Sequence, residues 1–397
     1  MAKLFIEDLQ VRGKKVLMRV DFNVPIENGV ITSEKRIDAS LPSINYLSQQ
    51  GARVILMSHL GRPKGEKKPE FSMKPVAENL KGKVTAKVSF VDDCIGEKVA
   101  RAVAALNDGD ILVLENLRFY KQEEKNDPEF SRQLASLGDI YVNDAFGTAH
   151  RAHASTEGVT KYIKQCAAGY LMKKELDYLS IAISAPRHPF VAIMGGAKVS
   201  DKIEVITNLL SKVDTLIIGG GMVYTFYKAQ GKEVGKSLLE ADKVDLAAKV
   251  LAEAKAKGKK LLLPIDDVVA LEFKNDSPSS IVENGNIPAD KMGLDIGPKS
   301  IALFSKELEN AKTIVWNGPM GVFEMENFSK GTFAIARALA KATENGATTI
   351  IGGGDSASAI KKAGLAKKVS HVSTGGGASL EYLEGKILPG VAALTEK

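Results

Sequence analysis

The sequence predicts an α/β protein with two domains, each built on a parallel sheet that is covered by helices. Three observations lead to this prediction. Short β-branched runs alternate with amphipathic segments along the whole chain, one long helical pattern lies near mid-chain, and 397 residues exceed the size of one ordinary domain. The long pattern covers residues 170–189 and is stopped by Pro186 and Pro189, so we interpret it as an interdomain helix.

The strand candidates are spread through both halves of the chain. They cover residues 15–20, 53–57, 88–91, 111–114, 139–143, 190–194, 215–219, 260–264, 313–317, 348–352 and 369–373. Helix candidates lie between most of them, for example at 97–106, 244–257 and 332–343. Alternation of this kind builds parallel sheets with helices on both faces.

Composition and charge exclude several classes of protein. The net charge of +6 comes from evenly mixed residues, 54 Lys+Arg against 48 Asp+Glu, and is too mild to indicate nucleic-acid binding. A membrane span needs about 18 consecutive apolar residues, and the chain has no such run. The first residues also lack the apolar core of a secretion signal. Cys94 and Cys166 form no disulfide or metal pattern, so we expect two buried thiols in a cytoplasmic protein.

Four glycine-rich turns follow strand candidates in the second half, at 194–202, 217–226, 350–360 and 373–383. In a parallel sheet such turns all lie at the carboxyl edge, where glycine lets the main chain approach a ligand and helix N-termini attract phosphate. One such turn is explained by tight chain reversal alone. Four in one domain indicate an anionic or nucleotide ligand.

Asp355 and two lysines refine this prediction. The segment 352–357 also fits a dinucleotide-binding pattern, but Ser373 and Thr374 follow the next strand where an acidic residue is required, so the sequence disfavours that interpretation. A carboxylate beside phosphates suits Mg²⁺, and a helix N-cap is the alternative role for Asp355.

Lys198 and Lys202 are four residues apart. If a helix starts there they share a face, either around an anion or in solvent.

Four motifs of the first half, at 19–25, 58–65, 115–121 and 147–155, place Arg, His or Asn near strand ends. A single arginine of this kind is commonly a surface residue. A convergent set describes a pocket for a small, multiply negative molecule. The histidines of the last motif lack the glutamate of a zinc motif, so we expect no zinc. No Ser-His-Asp set stands out, and a kinase acting on a carboxylate needs no general base.

The motifs RVDFNVP, SHLGRP, ENLRF, DAFGTAHRAHAS, GGAKVSDKI, IIGGGM, WNGPMGVFE, GGGDSA and STGGGASLE resemble, in order, the signature segments of the phosphoglycerate kinases. The resemblance runs from about residue 4 to the end. It implies two Rossmann-like domains. Residues 1–170 would form a 3-phosphoglycerate-binding domain, and the tail at 385–397 would pack on it. Residues 171–188 would form the interdomain helix and hinge, and residues 189–384 would form a nucleotide-binding domain.

The resemblance also implies the reaction and the residues that carry it: Mg²⁺-dependent phosphoryl transfer between ATP and 3-phosphoglycerate, with hinge closure, in a protein whose relatives are usually monomers. The implied 3-phosphoglycerate contacts are Asp21, Asn23, Arg36, His59, Leu60, Gly61, Arg62, Arg118 and Arg151. The implied ATP or ADP contacts are Lys202, Gly293, Glu324, Gly353, Gly354, Asp355 and Ser356, with Asp355 on the metal. The implied groups around the transferred phosphoryl are Arg36, Lys198, Lys202 and the helix N-terminus at Gly376.

Two other functions remain as alternatives. A nucleotide-dependent ligase would form an acyl phosphate and hand it to a second nucleophile, but no spare motif suggests a pocket for that nucleophile. A non-catalytic metabolite-binding protein would have no use for two different anion sites and a metal carboxylate.

Overall fold

The chain divides into two compact units. In the computed structural model, which describes residues 3–283 and 285–397, unit 1 comprises Met1–Asp177 and Ile387–Lys397, and unit 2 comprises Tyr178–Lys386. The boundary between them falls inside the helix Tyr170–Ser184, which is shorter than its predicted range of 170–189 and ends before Pro186. Of the helices in the described ranges, none has the length and apolar character that crossing a bilayer requires.

The strands of the described residues are β1 (Lys15–Arg19), β2 (Ile26–Glu27), β3 (Val30–Ile31), β4 (Arg53–Met57), β5 (Val88–Val91), β6 (Ile111–Leu114), β7 (Ile140–Asn143), β8 (Cys166–Ala168), β9 (Phe190–Met194), β10 (Thr215–Ile218), β11 (Lys260–Leu262), β12 (Asp266–Ala270), β13 (Ser279–Glu283), β14 (Met292–Ile296), β15 (Thr313–Asn317), β16 (Thr348–Gly352) and β17 (His371–Val372).

The helices are α1 (Lys35–Gln49), α2 (Lys74–Lys81), α3 (Glu97–Ala104), α4 (Lys121–Glu124), α5 (Pro128–Ala135), α6 (Tyr170–Ser184), α7 (Ile203–Leu210), α8 (Val223–Ala229), α9 (Val244–Ala256), α10 (Pro298–Glu309), α11 (Lys330–Glu344), α12 (Gly354–Lys362), α13 (Gly377–Leu383) and α14 (Pro389–Ala392). Short 3-10 helices cover Ile6–Asp8, Pro69–Phe71, Leu117–Phe119, Phe146–Thr148, Gly158–Lys161, Ala241–Lys243 and Glu326–Phe328.

Unit 1 is built on a six-stranded parallel sheet in the order β5-β6-β4-β1-β7-β8. Every residue of β6 and β7 is buried, as expected for strands covered on both faces. Arg19, the last residue of β1, pairs with Met57 on one side and Asn143 on the other. These strands therefore end level with each other, and the loops that follow them leave from one edge of the sheet.

Unit 2 repeats this construction with the parallel order β11-β10-β9-β15-β16-β17. Asn317, at the end of β15, pairs with Met194 and Gly352, so these strands also end level. The four predicted glycine-rich turns follow β9, β10, β16 and β17, and they lie at one edge as expected. Each sheet has its own buried core, with Phe22 and Ile44 in unit 1 and Trp316 and Phe304 in unit 2.

The predicted parallel strands are confirmed, but the sequence did not predict a second sheet in unit 2. It is antiparallel, in the order β13-β12-β14, with a register shift between Val268 and Val269. The tail belongs to unit 1. Lys3 forms an isolated antiparallel β-bridge with Glu396, and the N–H of Thr395 donates to the carbonyl of Cys166 at 2.9 Å. Both cysteines are buried free thiols, as expected.

Candidate functional site

In unit 1, the loop after β1 and the first turn of α1 place a carboxylate beside an arginine. Arg36 Nη1 donates to both oxygens of Asp21, at 2.8 and 2.7 Å. Asp21 is buried, whereas 41% of the Arg36 side chain is exposed. The guanidinium is therefore held on its inner side and open on the other, where an anionic ligand can reach it.

The loop after β4 is held in place by side chains of the neighbouring loops. Asn23 Oδ1 accepts from the N–H of Gly61 at 2.8 Å, and Arg118 Nη1 donates to the Gly61 carbonyl at 2.9 Å. The buried Asn116 accepts from the N–H of Leu60 at 3.2 Å and donates to its carbonyl at 2.7 Å. Four of the predicted residues thus meet around one backbone turn. Sequence reasoning missed Asn116, although it lies inside the quoted motif ENLRF.

His59 lies among the same cations. It is buried, and Arg19 Nη2 lies 3.1 Å from its Nδ1. Burial lowers the pKa of His59 well below its ordinary value, and the positive charges of Arg19, Arg118 and Arg36 lower it further. Electrostatically, this part of unit 1 is a concentration of positive charge whose histidine stays neutral.

The remaining predicted residues of unit 1 are placed less tightly. Arg62 is exposed, whereas Leu60 is buried and its backbone N–H and carbonyl are both bonded to Asn116. Arg151 is exposed and donates from Nε to His150 Nε2 at 3.3 Å. Its charge helps to lower the pKa of Arg118 and that of His153, so it lies near this positive cluster.

Unit 2 has a cavity of about 470 Å³ at the carboxyl edge of its parallel sheet. The lining comes from glycine-rich turns and apolar side chains, among them Gly220, Tyr224, Leu238, Phe273 and Met320. Gly293, Glu324 and Asp355 of the predicted nucleotide contacts also line it. A concave, mostly apolar pocket with a few polar groups is the usual form of a small-molecule site.

Two glycines that line the cavity leave no room for a side chain. At Gly220, with φ +69°, an added Cβ would lie 2.5 Å from the backbone nitrogen of Gly196. At Gly293, an added Cβ would lie 1.9 Å from the hydroxyl of Tyr224. Gly220 and Gly293 thus serve close packing around the cavity.

Lys202 is fixed beside the end of β15. Its Nζ donates to Asn317 Oδ1 at 2.5 Å. Burial lowers the pKa of Lys202, while the charges of Asp201, Asp355 and Glu384 act in the opposite direction. Asn317 lies in the quoted motif WNGPMGVFE, but the sequence alone did not single it out.

The condition under which Lys198 and Lys202 would share a helix face is not met. The helix α7 begins at Ile203, with Lys202 as its N-cap, so Lys198 precedes the helix and shares no face with Lys202. Lys198 is exposed, and among the described residues the neighbouring Gly196 and Ala197, rather than Lys198, line the cavity.

The turn after β16 places Asp355 in the first turn of α12. Gly353, with φ +85°, is the N-cap, so Asp355 is not the capping residue and its exposed carboxylate lies on the cavity wall. Gly354 begins the helix. Ser356 is fully buried, and its Oγ accepts from the N–H of Gly318 at 2.5 Å. Gly376 is the N-cap of α13, with φ +51°.

The residues of the described structure fit a magnesium ion that arrives with its nucleotide. Among the described residues there is no group of three or more His, Cys, Asp or Glu side chains suited to a metal. Two exposed carboxylates, those of Glu324 and Asp355, lie on the cavity wall. Mg²⁺ commonly binds through one or two carboxylates together with substrate phosphates, so this arrangement suits it.

The fold and these two sites define an α/β protein with two parallel sheets, one with an arginine-rich ligand edge and the other with a glycine-rich one. A family model described as "Phosphoglycerate kinase" matches residues 6–386. A phosphoglycerate kinase of Clostridium perfringens is 59% identical over 397 residues, covering 100% of this chain and 99% of the relative. That of Chlorobium luteolum is 58% identical over 395 residues, covering 99% and 100%.

Solved structures agree with these relatives. A phosphoglycerate kinase from Coxiella burnetii superimposes with a TM-score of 0.91 at 44% identity, and one from Pyrococcus horikoshii with a TM-score of 0.83 at 32% identity. Each comparison covers 98% of both chains. The chain belongs to the phosphoglycerate kinase family.

Proposed function

We propose that the chain catalyses reversible phosphoryl transfer between ATP and the carboxylate of 3-phosphoglycerate, giving ADP and 1,3-bisphosphoglycerate. It is then a glycolytic phosphotransferase with a carboxyl group as acceptor and with ATP or ADP as co-substrate. The observation that carries this proposal is the family match over residues 6–386, which spans both ligand edges. The ligase and binding-protein alternatives have no comparable support.

The acceptor is assigned to unit 1. The groups proposed to bind it are Asp21, Asn23, Arg36, His59, Leu60, Gly61, Arg62, Arg118 and Arg151. A substrate with a phosphate and a carboxylate needs several convergent cations and N–H donors. The pairing of Arg36 with Asp21 and the positive charges around His59 supply them, which supports the assignment.

The nucleotide is assigned to the cavity of unit 2. The groups proposed to bind it are Lys202, Gly293, Glu324, Gly353, Gly354, Asp355 and Ser356. The apolar walls from Leu238, Phe273 and Met320 suit a base, and the backbone N–H groups at Gly353 and Gly354 suit phosphate. When Mg²⁺ is bound with the nucleotide, it neutralises charge on the phosphate oxygens, and Asp355 is the residue that would hold it.

Chemically, the chain's task is electrostatic. The acceptor carboxylate is already ionised at neutral pH, so transfer requires no general base. Arg36 and Lys202, together with Lys198 and the helix N-terminus at Gly376, are proposed to stabilise the charge on the transferred group. We further propose domains at 1–170 and 189–384, and hinge closure at 171–188 that aligns donor and acceptor and excludes water.

We also propose that the enzyme acts as a cytoplasmic monomer with small-molecule substrates and no nucleic-acid or membrane partner. The experiment that tests the function is a coupled assay. Purified chain is mixed with ATP, Mg²⁺ and 3-phosphoglycerate, and acyl phosphate formation is followed as NADH oxidation through glyceraldehyde-3-phosphate dehydrogenase. Oxidation that requires every component supports the proposal. A signal that appears only after a further nucleophile is added would favour the ligase. ATP binding without turnover would favour the binding protein.

A further inference from the structure

A chain of buried polar side chains runs behind the acceptor site of unit 1. It consists of Glu123, Ser155, Arg19 and His59, each of which is less than 5% exposed. Ser155 Oγ donates to Glu123 Oε1 at 2.5 Å, Arg19 Nε donates to Ser155 Oγ at 2.8 Å, and Arg19 Nη2 lies 3.1 Å from His59 Nδ1. The site described above uses only the last of these four residues.

The contact between Arg19 and His59 fixes the protonation of the imidazole. A guanidinium carries only donors and stays protonated in proteins. At 3.1 Å, Nδ1 of His59 must therefore accept the hydrogen bond. A ring that accepts through Nδ1 is neutral and carries its proton on Nε2. His59 thus has one N–H donor, at Nε2.

Arg19 itself is held by three acceptors. Its other donors go to the carbonyl of Val20 through Nη1 and to Ser155 Oγ through Nε. Ser155 can accept from Arg19 because its own proton is committed to Glu123, whose second oxygen accepts from the N–H of Ser155 at 3.0 Å. Tyr141 anchors the same segment by donating to the Ser155 carbonyl at 2.8 Å. The guanidinium consequently has one orientation, with Nη2 directed at His59.

We propose that Glu123, Ser155 and Arg19 are positioning residues that hold His59 as a neutral Nε2–H tautomer, so that it binds the anionic acceptor as a hydrogen-bond donor and not as a cation. This inference rests on the proposed function only in placing His59 at the acceptor site. The groups that face the ring agree with it, since burial and the charges of Arg19, Arg118, Arg36 and His153 all lower the pKa of His59.

The first test reads the tautomer directly and needs no turnover. The full chain, with its five histidines labelled with ¹⁵N, is studied by two-bond ¹H–¹⁵N correlation NMR at neutral pH without substrate. His59 is assigned by the signal that disappears in His59→Gln. A neutral ring protonated at Nε2 is the expected result. An imidazolium, or a ring protonated at Nδ1, would overturn the proposal whether or not the enzyme turns over.

The second test changes residues of the buried polar chain other than His59; we call Glu123, Ser155 and Arg19 the relay. Ser155→Ala removes the acceptor for Arg19 Nε. Arg19→Lys keeps the positive charge but loses the planar guanidinium with its several N–H donors. Each is expected to let the His59 tautomers mix and to raise the KM for 3-phosphoglycerate about tenfold, the effect of one hydrogen bond to a charged group, with the KM for ATP unchanged. Ser131→Ala, a buried serine of unit 1 bonded to the Asp127 carbonyl, is the matched control. Unchanged tautomer and KM in both relay variants would refute the relay.

Discussion

Lys202 and Asn317, 115 residues apart in sequence, form a hydrogen bond of 2.5 Å between Nζ and Oδ1. The bond joins the turn before α7 to the end of β15. It leaves Asn317 Nδ2 as a buried donor with no protein partner in the described ranges. A long, flexible lysine side chain is thereby held in one place beside the nucleotide cavity, which is what a preorganised charge requires.

Asn317→Ala should therefore lower kcat by about 10-fold to 100-fold, because Lys202 loses its orientation without losing its charge. The KM for 3-phosphoglycerate should stay the same, since the change lies in unit 2. Steady-state kinetics with each substrate varied would measure both values. Asn310→Ala, at the exposed C-cap of α10, is the control for replacing an asparagine in the same unit. Equal kinetics for the two variants would show that Asn317 has no role in orienting Lys202 for catalysis.

Arg36→Ala should lower kcat by about 10²-fold to 10³-fold, the usual loss when one preorganised charge-stabilising contact is removed. Arg53→Ala is a matched control, because Arg53 is also a partly exposed arginine of unit 1 paired with an aspartate, Asp108 at 3.0 Å. Circular dichroism of both variants would show that they fold. Near-normal turnover of folded Arg36→Ala would contradict the assigned role.

Asp355→Ala should raise the Mg²⁺ and ATP concentrations needed for half-maximal rate and leave 3-phosphoglycerate binding unchanged, because the lost carboxylate lies on the nucleotide cavity. Asp245→Ala is the control. Asp245 is an exposed carboxylate in the first turn of α9, so both changes remove the same favourable interaction with a helix N-terminus, about 0.3–1 kcal/mol. Calorimetric titration of each variant, once with Mg²⁺ and ATP and once with 3-phosphoglycerate, measures the two affinities. Equal weakening for both ligands in Asp355→Ala would indicate misfolding.

Asp267 predicts a pH dependence of stability. Burial raises the pKa of Asp267 to about 7, although Tyr227 donates to it at 3.4 Å. The folded state therefore keeps a proton that the unfolded state releases near its ordinary pKa of 3.8. The stabilisation from this group is complete below the unfolded pKa and is lost as pH rises through about 7, by an amount on the order of a few kcal/mol.

Asp267→Asn cannot titrate, so the free energy of unfolding of unit 2 should fall less in the variant than in wild type between about pH 5 and about pH 8. Urea unfolding followed by fluorescence of Trp316, the one tryptophan of the sequence, reports on unit 2. Asp290→Asn, at an exposed position of the same unit, should behave as wild type. A pH dependence that is the same with and without Asp267 would show that its carboxyl is not protonated in the folded state.

The sequence predicted what depends on local pattern. The strands β4, β5, β6, β9, β15 and β16 begin and end where their β-branched runs do, since a buried parallel strand needs a continuous apolar segment. β11 stops at Leu262, before the predicted end at Pro264, whose missing N–H cannot join a sheet. β17 is reduced to His371–Val372. Before it, the backbone N–H groups of Ser370 and Thr349 donate to each other's side-chain oxygens.

The sequence could not predict what depends on distant partners. The sheet of β12, β13 and β14 combines exposed and acidic residues, and β13 alternates exposed with half-buried positions, so no strong apolar run marks it. Glu123 and Asn317 resemble ordinary polar residues until the fold buries them against Ser155 and Lys202. The start of α7 at Ile203 was also not predicted, because the spacing of Lys198 and Lys202 does not show where a helix begins.

The central claim is that unit 1 holds the acceptor and unit 2 the nucleotide, and that charges fixed in each carry the transfer. A crystal structure with ADP, Mg²⁺ and 3-phosphoglycerate tests it most directly. We expect 3-phosphoglycerate on Arg36, His59 and Arg118, and the phosphates of ADP at Gly353 and Gly354 with the metal on Asp355. Both ligands on one unit, or a phosphoglycerate without contact to the arginines, would contradict the account.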